Sequence, residues 1–289
     1  MDTSKLEHVH LPTNGIRLHV VQSGSRYGPP VILLHGFPEF WYGWRQQIQP
    51  LADSGFRVWA PDLRGYNLSD KPTGIAAYRL DELANDVVGL IDAAGVENCY
   101  LAGHDWGAAV AWWVALRYPE RVRKLAILNV PHPAVMAQML LSNPAQLRRS
   151  WYIFFFQIPF LAEGVLRNND LEPMVKMLRY GSKPGSFTED DIERYRHAWW
   201  RKDAITSMLN WYRAVIQMHP DISGDLRIRV PTLILWGAQD AALGREMAQS
   251  SLELCDQGKL VFFENSSHWV QHDEAEAVNK HLVDFFSTP

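Results

Sequence analysis

The chain has 289 residues, 47% of them hydrophobic and 21% charged, with a formal net charge of −4. This is ordinary globular composition, near the length at which a single core divides or takes an insertion, and it carries no basic footprint for nucleic acid. The most apolar stretch, Trp151–Leu166, is too short for a bilayer and is broken by Gln157, Pro159 and Glu163, so no membrane span is expected.

Cys99 and Cys255 are the only cysteines, and Cys99 falls in a predicted buried strand, which favours a reduced packing thiol over a disulfide. The N-terminal run from Met1 to His8 lacks the apolar centre of a leader peptide, so a cytoplasmic placement is expected. On that expectation the sequons at Asn67 and Asn265 are incidental.

In chain order, Asn14-Gly15 between Glu7–Leu11 and Ile16–Gln22 predicts a hairpin. Val31–Leu34 reads as a buried strand, Tyr42–Ser54 as a helix and Arg57–Ala60 as the next strand. Helical spacing over Tyr78–Ala94 places Leu80, Leu83, Val87, Leu90 and Ile91 on one face. Strand Cys99–Ala102, helix Trp106–Tyr118 and strand Lys124–Asn129 follow. The alternation then stops from Pro131 to about Arg229, in a stretch rich in helix formers and aromatic residues. It resumes with strand Thr232–Trp236, helix Arg245–Leu254, strand Leu260–Phe263 and helix Glu274–Phe286. Such alternation predicts a mostly parallel central sheet flanked by helices. The expected organisation is an α/β core over residues 1–132 and 226–289, with a helical cap over 133–225 covering the carboxyl ends of the strands.

Gly103-His104-Asp105-Trp106-Gly107 directly follows an apolar strand and has the form of a nucleophile elbow, a strand turned sharply into a helix. Serine often occupies the tip of such a turn; this chain has Asp105. A carboxyl group of ordinary pKa about 3.9 is already an anion at neutral pH. It can attack a saturated carbon, displace a leaving group and form an alkyl ester, leaving a histidine free to activate water against that ester. Strained ethers and carbon–halogen bonds suit this chemistry; amides do not. The competing reading is a plain turn with a solvated aspartate.

Asp240 follows strand Thr232–Trp236, and His268 follows strand Leu260–Phe263. The order nucleophile, acid, histidine is that of the α/β-hydrolase arrangement, and each residue lies just beyond the carboxyl end of a strand. The backbone N–H groups of Phe37, after strand Val31–Leu34, and of Trp106 would form an oxyanion hole. His104 reads as structural, His35 as an organiser of the Phe37 turn and His272 as a surface residue. No metal-ligand spacing and no phosphate-binding loop is present, so no cofactor is expected.

The runs His35-Gly36-Phe37-Pro38-Glu39-Phe40-Trp41-Tyr42 and Asp62-Leu63-Arg64-Gly65-Tyr66-Asn67-Leu68-Ser69-Asp70-Lys71-Pro72, with the aspartate-tipped elbow, resemble the epoxide hydrolases of the α/β-hydrolase fold over essentially the whole chain. The resemblance implies that two cap tyrosines hold the epoxide oxygen; Ser150–Pro159 and Leu209–Arg213 resemble the segments carrying them, at Tyr152 and Tyr212. It further implies conversion of a small apolar epoxide and water to a vicinal diol, through an ester on Asp105 hydrolysed with His268 and Asp240. Haloalkane dehalogenases share much of the pattern, but position 37 is Phe where a halide-binding Asn or Trp is common, and Asn129 stands where several of them carry the acid. A haloalkane dehalogenase and a non-catalytic ligand-binding protein on the same scaffold are the alternatives. Oligomeric state is left open.

Overall fold

Asn14 and Gly15 both take positive φ, 42° and 76°, the backbone that a two-residue hairpin turn demands. They join β1 (Glu7–Thr13) to β2 (Ile16–Ser23), an antiparallel pair at the edge of the sheet. In this computed structural model, which describes residues 6–288, six further strands follow: β3 (Pro30–Leu34), β4 (Arg57–Pro61), β5 (Cys99–His104), β6 (Val122–Leu128), β7 (Thr232–Gly237) and β8 (Gly258–Phe263). Residues 1–5 of the stretch read for a leader lie outside the described residues.

The spatial order is β1-β2-β4-β3-β5-β6-β7-β8, with β3 to β8 parallel. β5 is buried along its whole length, as the apolar run Cys99–Ala102 requires of a strand covered on both faces. From β3 the chain crosses first to β4 on one side and later to β5 on the other. The crevice beyond the carboxyl ends of β3 and β5 is therefore a topological switch point, where open α/β sheets bind ligands.

Helices α1 (Ile48–Asp53), α2 (Leu80–Ala93) and α3 (Trp106–Arg117) connect the early strands, and α2 buries the predicted Leu80, Leu83, Val87, Leu90 and Ile91. One predicted helix is corrected. Instead of a single helix over Tyr42–Ser54, a 3₁₀ turn (Trp41–Trp44) is separated from α1. A continuous helix would need an N–H at Pro50 to reach the Gln46 carbonyl; proline has none, and its ring would clash there. The Gln46 carbonyl accepts instead from Asn279, at 2.9 Å.

Between β6 and β7 lie α4 (Pro133–Ser142), α5 (Pro144–Arg149), α6 (Trp151–Phe155), α7 (Leu161–Arg179, interrupted by non-helical backbone at 168–171), α8 (Glu189–Trp199) and α9 (Ala204–Gln217). Indole N–H groups anchor them to the sheet layer: Trp199 donates to the Pro38 carbonyl at 2.6 Å and Trp211 to that of Arg64 at 3.0 Å. After β7 the chain forms α10 (Glu246–Leu252), α11 (Val270–Asp273) and α12 (Ala275–Ser287). Among the described residues no helix is long and apolar enough to cross a membrane.

Candidate active site

The turn from β5 into α3 leaves no room for side chains around its tip. A Cβ at Gly103 would sit 2.4 Å from the Gly107 carbonyl oxygen, and one at Gly107 would sit 2.1 Å from that of Leu34. Both are far inside van der Waals contact, so glycine is what lets strand and helix meet here. Asp105 itself is held at φ 50° and ψ −126°, a sparsely populated backbone that raises its side chain above the sheet.

The two oxygens of that carboxylate have different surroundings. The Phe37 N–H donates to Oδ1 at 2.6 Å. Oδ2 faces His268 Nε2 at 3.5 Å. Trp106 opens α3, where the first N–H groups have no helical partner. His35, behind the Phe37 turn, accepts from the Leu63 N–H at 3.0 Å.

On its other side the His268 ring meets Asp240, Nδ1 to Oδ2 at 2.7 Å. Asp240 is saturated with donors: Asn129 Nδ2 reaches Oδ2 at 2.9 Å, and the N–H groups of Ala242 and Leu243 reach Oδ1 at 2.8 and 2.9 Å. Burial alone would raise the Asp240 pKa; the facing His268 and these donors outweigh it and hold it below the ordinary range. For His268 burial works against charge, yet the carboxylates of Asp240 and Asp105 prevail and raise it to about 10. Two flanking carboxylates therefore favour the imidazolium form of this ring.

A cavity of about 770 Å³ above the elbow is lined by Asp105, His268 and Phe37, and by Tyr152 on α6 and Tyr212 on α9. The two phenol rings lie 6.0 Å apart, centroid to centroid, and Tyr212 packs edge-on against Trp106 at 4.9 Å. Burial first, and the Asp105 carboxylate second, push both phenols above their ordinary pKa, so both are neutral donors at any working pH. Trp151, Phe156 and Met177 make much of the remaining wall apolar. Among the described residues no cluster of His, Cys, Asp and Glu could hold a metal ion.

Sequence reasoning missed a buried layer behind the site. Glu39, fully buried, accepts from Tyr195 at 2.6 Å, Gln271 at 3.0 Å and His272 at 2.8 Å. Arginine can only donate, so Arg45 at 3.1 Å from His272 Nδ1 fixes that ring as an Nε2–H donor toward Glu39. His104 lies 3.4 Å from Glu39 and donates through Nε2 to the His268 carbonyl at 2.9 Å, tying the histidine loop down. The surface position expected for His272 is therefore corrected. The short helix α11 turns that ring inward because a buried carboxylate awaits it. The available signal was Glu39 itself, a charge inside the aromatic run Phe37–Tyr42.

Comparison with known proteins agrees with this geometry. The family model described as alpha/beta hydrolase fold matches residues 29–275. The AB hydrolase superfamily protein YfhM of Bacillus subtilis is 44% identical, covering 99% of each chain. Epoxide hydrolase 4 of Homo sapiens is 38% identical over 96% of this chain and 78% of its own. A crystal structure of a variant epoxide hydrolase from Bacillus megaterium, complexed with a naphthyloxy-propanediol product, superimposes with TM-score 0.88 at 32% identity, covering 97% of this chain and all of that one. With its aspartate-tipped elbow at the switch point of a mostly parallel sheet, the chain belongs to the epoxide hydrolases of the α/β-hydrolase fold.

Proposed function

We propose that this protein hydrolyses apolar epoxides to vicinal diols in two stages, with residues 133–225 serving as the cap that encloses the substrate. The observation that carries this reading is the unequal environment of the Asp105 oxygens. Oδ1 is occupied by the Phe37 N–H, while Oδ2 is left for attack in a cavity that two neutral phenols also line.

In the first stage Oδ2 forms a bond to one ring carbon as its C–O bond breaks. Tyr152 or Tyr212 gives its proton to the leaving alkoxide, and a hydroxyalkyl ester results. Esterification removes the charge of Asp105 and with it part of the field that keeps His268 protonated. The imidazolium returns its proton to the tyrosinate and becomes a base. In the second stage His268, oriented by Asp240, takes a proton from water, which attacks the ester carbonyl carbon. The oxyanion rests on the N–H groups of Phe37 and Trp106. Collapse expels the diol alkoxide, which His268 protonates, and the proton left on the Asp105 carboxyl passes back to His268, restoring the carboxylate and the imidazolium.

The walls supplied by Trp151, Phe156 and Met177 favour an aryl or alkyl epoxide over a strongly polar one. A single turnover in heavy-oxygen water tests the scheme. The first diol should carry only light oxygen, and the label should remain in Asp105. Heavy oxygen in that first diol would end it, and free halide from bromoalkanes without diol from epoxides would transfer the site to dehalogenation.

A further inference from the structure

Eight of the thirteen exposed large apolar side chains among the described residues fall between residues 141 and 165. Around the α6–α7 turn Trp151, Phe154, Ile158, Phe160, Leu161 and Val165 are all solvent-exposed, Phe160 at 88% and Trp151 at 63%. Phe160 also has φ 63°, a left-handed backbone that a bulky side chain adopts only under constraint. Strain is thus spent on holding a phenyl ring out in water. A patch of this kind on a folded surface marks an interaction site.

The charges identify the occupant. Between residues 141 and 172 the cations are Arg148, Arg149 and Arg167, and the carboxylates are Glu163, Asp170 and Glu172, the last two both paired with Arg196. Glu163 is turned inward and clamped by Arg213, at 2.8 and 3.1 Å on its two oxygens. The three arginines are exposed and make no ion pair with the described residues. The charges of this stretch left without an ionic partner among the described residues are therefore these three cations, on a chain of net charge −4. A twofold contact with a second copy would set these arginines against themselves, with the nearby carboxylates already paired to Arg196 and Arg213. An anionic sheet of headgroups over an apolar layer matches both features at once.

We propose that this face docks peripherally on an anionic bilayer. The α6–α7 turn inserts its apolar side chains among the acyl chains, and Arg148, Arg149 and Arg167 pair with headgroups. Neither signal alone anchors a protein firmly, but an apolar patch and a basic cluster together do. Trp151, Arg148 and Arg149 also line the cavity that contains Asp105, so the docked face opens the site toward the lipid phase.

The test is cosedimentation of the full chain with phosphatidylcholine vesicles, with and without about one third phosphatidylglycerol. The protein should bind the anionic vesicles at least about tenfold more tightly than the neutral ones, and binding should weaken as salt rises. The double substitution Phe154→Ser/Phe160→Ser touches neither the cavity wall nor the core. It should keep the thermal melt and cost at least about tenfold in vesicle affinity, since two phenyl rings lose their burial. Absence of binding, equal binding to neutral vesicles, or unchanged binding by the double variant would each overturn the proposal. So would a stable dimer in sedimentation velocity that the double variant dissociates, which would assign the face to a second copy.

Discussion

On the proposed mechanism, replacing Asp240 by Asn should separate the two chemical stages. Oδ1 of Asp240 accepts from two backbone N–H groups, Ala242 and Leu243, so an amide oxygen must take that place. The NH₂ is then forced into the position of Oδ2, 2.7 Å from His268 Nδ1 and 2.9 Å from the Asn129 amide nitrogen. It can only donate to Nδ1, which drives the proton to Nε2, where a lone pair is needed to accept from water. The lost charge adds to this. At a charge separation of about 4 Å and an effective dielectric of about 20, Asp240 stabilises an imidazolium by up to about 4 kcal/mol, or about 10³ in rate. Formation of the Asp105 ester needs neither effect and should change by less than about tenfold. Rapid mixing with a single equivalent of epoxide, acid quench and intact-protein mass spectrometry would follow both stages. The expected result is full alkylation, a mass gain equal to the epoxide, and decay of the adduct slowed by about 10³. A fall in diol formation with no adduct at any time would refute the assignment of Asp240 to the second stage.

Two further substitutions probe what surrounds the elbow. Tyr152→Phe and Tyr212→Phe should each slow ester formation by about 10–10², and the double variant should nearly abolish it without accumulating adduct; diol production unchanged in the double variant would contradict their role as donors. Glu39→Leu should destabilise the fold by about 3–5 kcal/mol in a urea titration, because Tyr195, Gln271 and His272 lose a buried partner. Burial tends to raise the Glu39 pKa, but its histidine neighbours win and hold it well below the ordinary carboxylate value of about 4.5. Its contribution should therefore be complete above that value and fade as pH falls through the lower native one, so the gap between wild type and variant should narrow in acid.

The sequence made legible what obeys local rules. Asn14-Gly15 marked the hairpin, and the period of Leu80, Leu83, Val87 and Leu90 marked the buried face of α2. Gly103 and Gly107 marked a turn too tight for any Cβ. Asp105, Asp240 and His268 each sit directly after a strand, so a parallel sheet brings them to one edge without knowledge of the tertiary fold. The break at Pro50 was available in the same way, since a proline inside Tyr42–Ser54 has no N–H to carry a helix through it. Illegible by contrast were the contacts made between distant segments. Glu39 meets His272 across 233 positions and Arg45 meets Asp191 across 146. Nothing in the pattern around His272 distinguishes a solvated ring from one held by a buried carboxylate, because the decision lies with the partner.

The aspartate at the elbow also changes when the histidine is needed. A serine at that position requires a neutral imidazole before anything happens, since the hydroxyl must be deprotonated to attack. Here His268 lies between Asp240 and Asp105 with its pKa raised to about 10, a state in which it could not serve as the initial base. With a carboxylate nucleophile this is no handicap, because the first stage asks nothing of it. On the proposed mechanism, alkylation then neutralises the very group that helps hold the proton. On this reading the base is switched on by the formation of the ester it must hydrolyse, and water is kept inactive until there is an intermediate to attack. Lengthening the reach of Asp105 to a glutamate would move one charge relative to His268 and disturb both stages at once, whereas Asp240→Asn leaves the first intact. That asymmetry follows from two distances, 3.5 Å and 2.7 Å, on opposite sides of one imidazole ring.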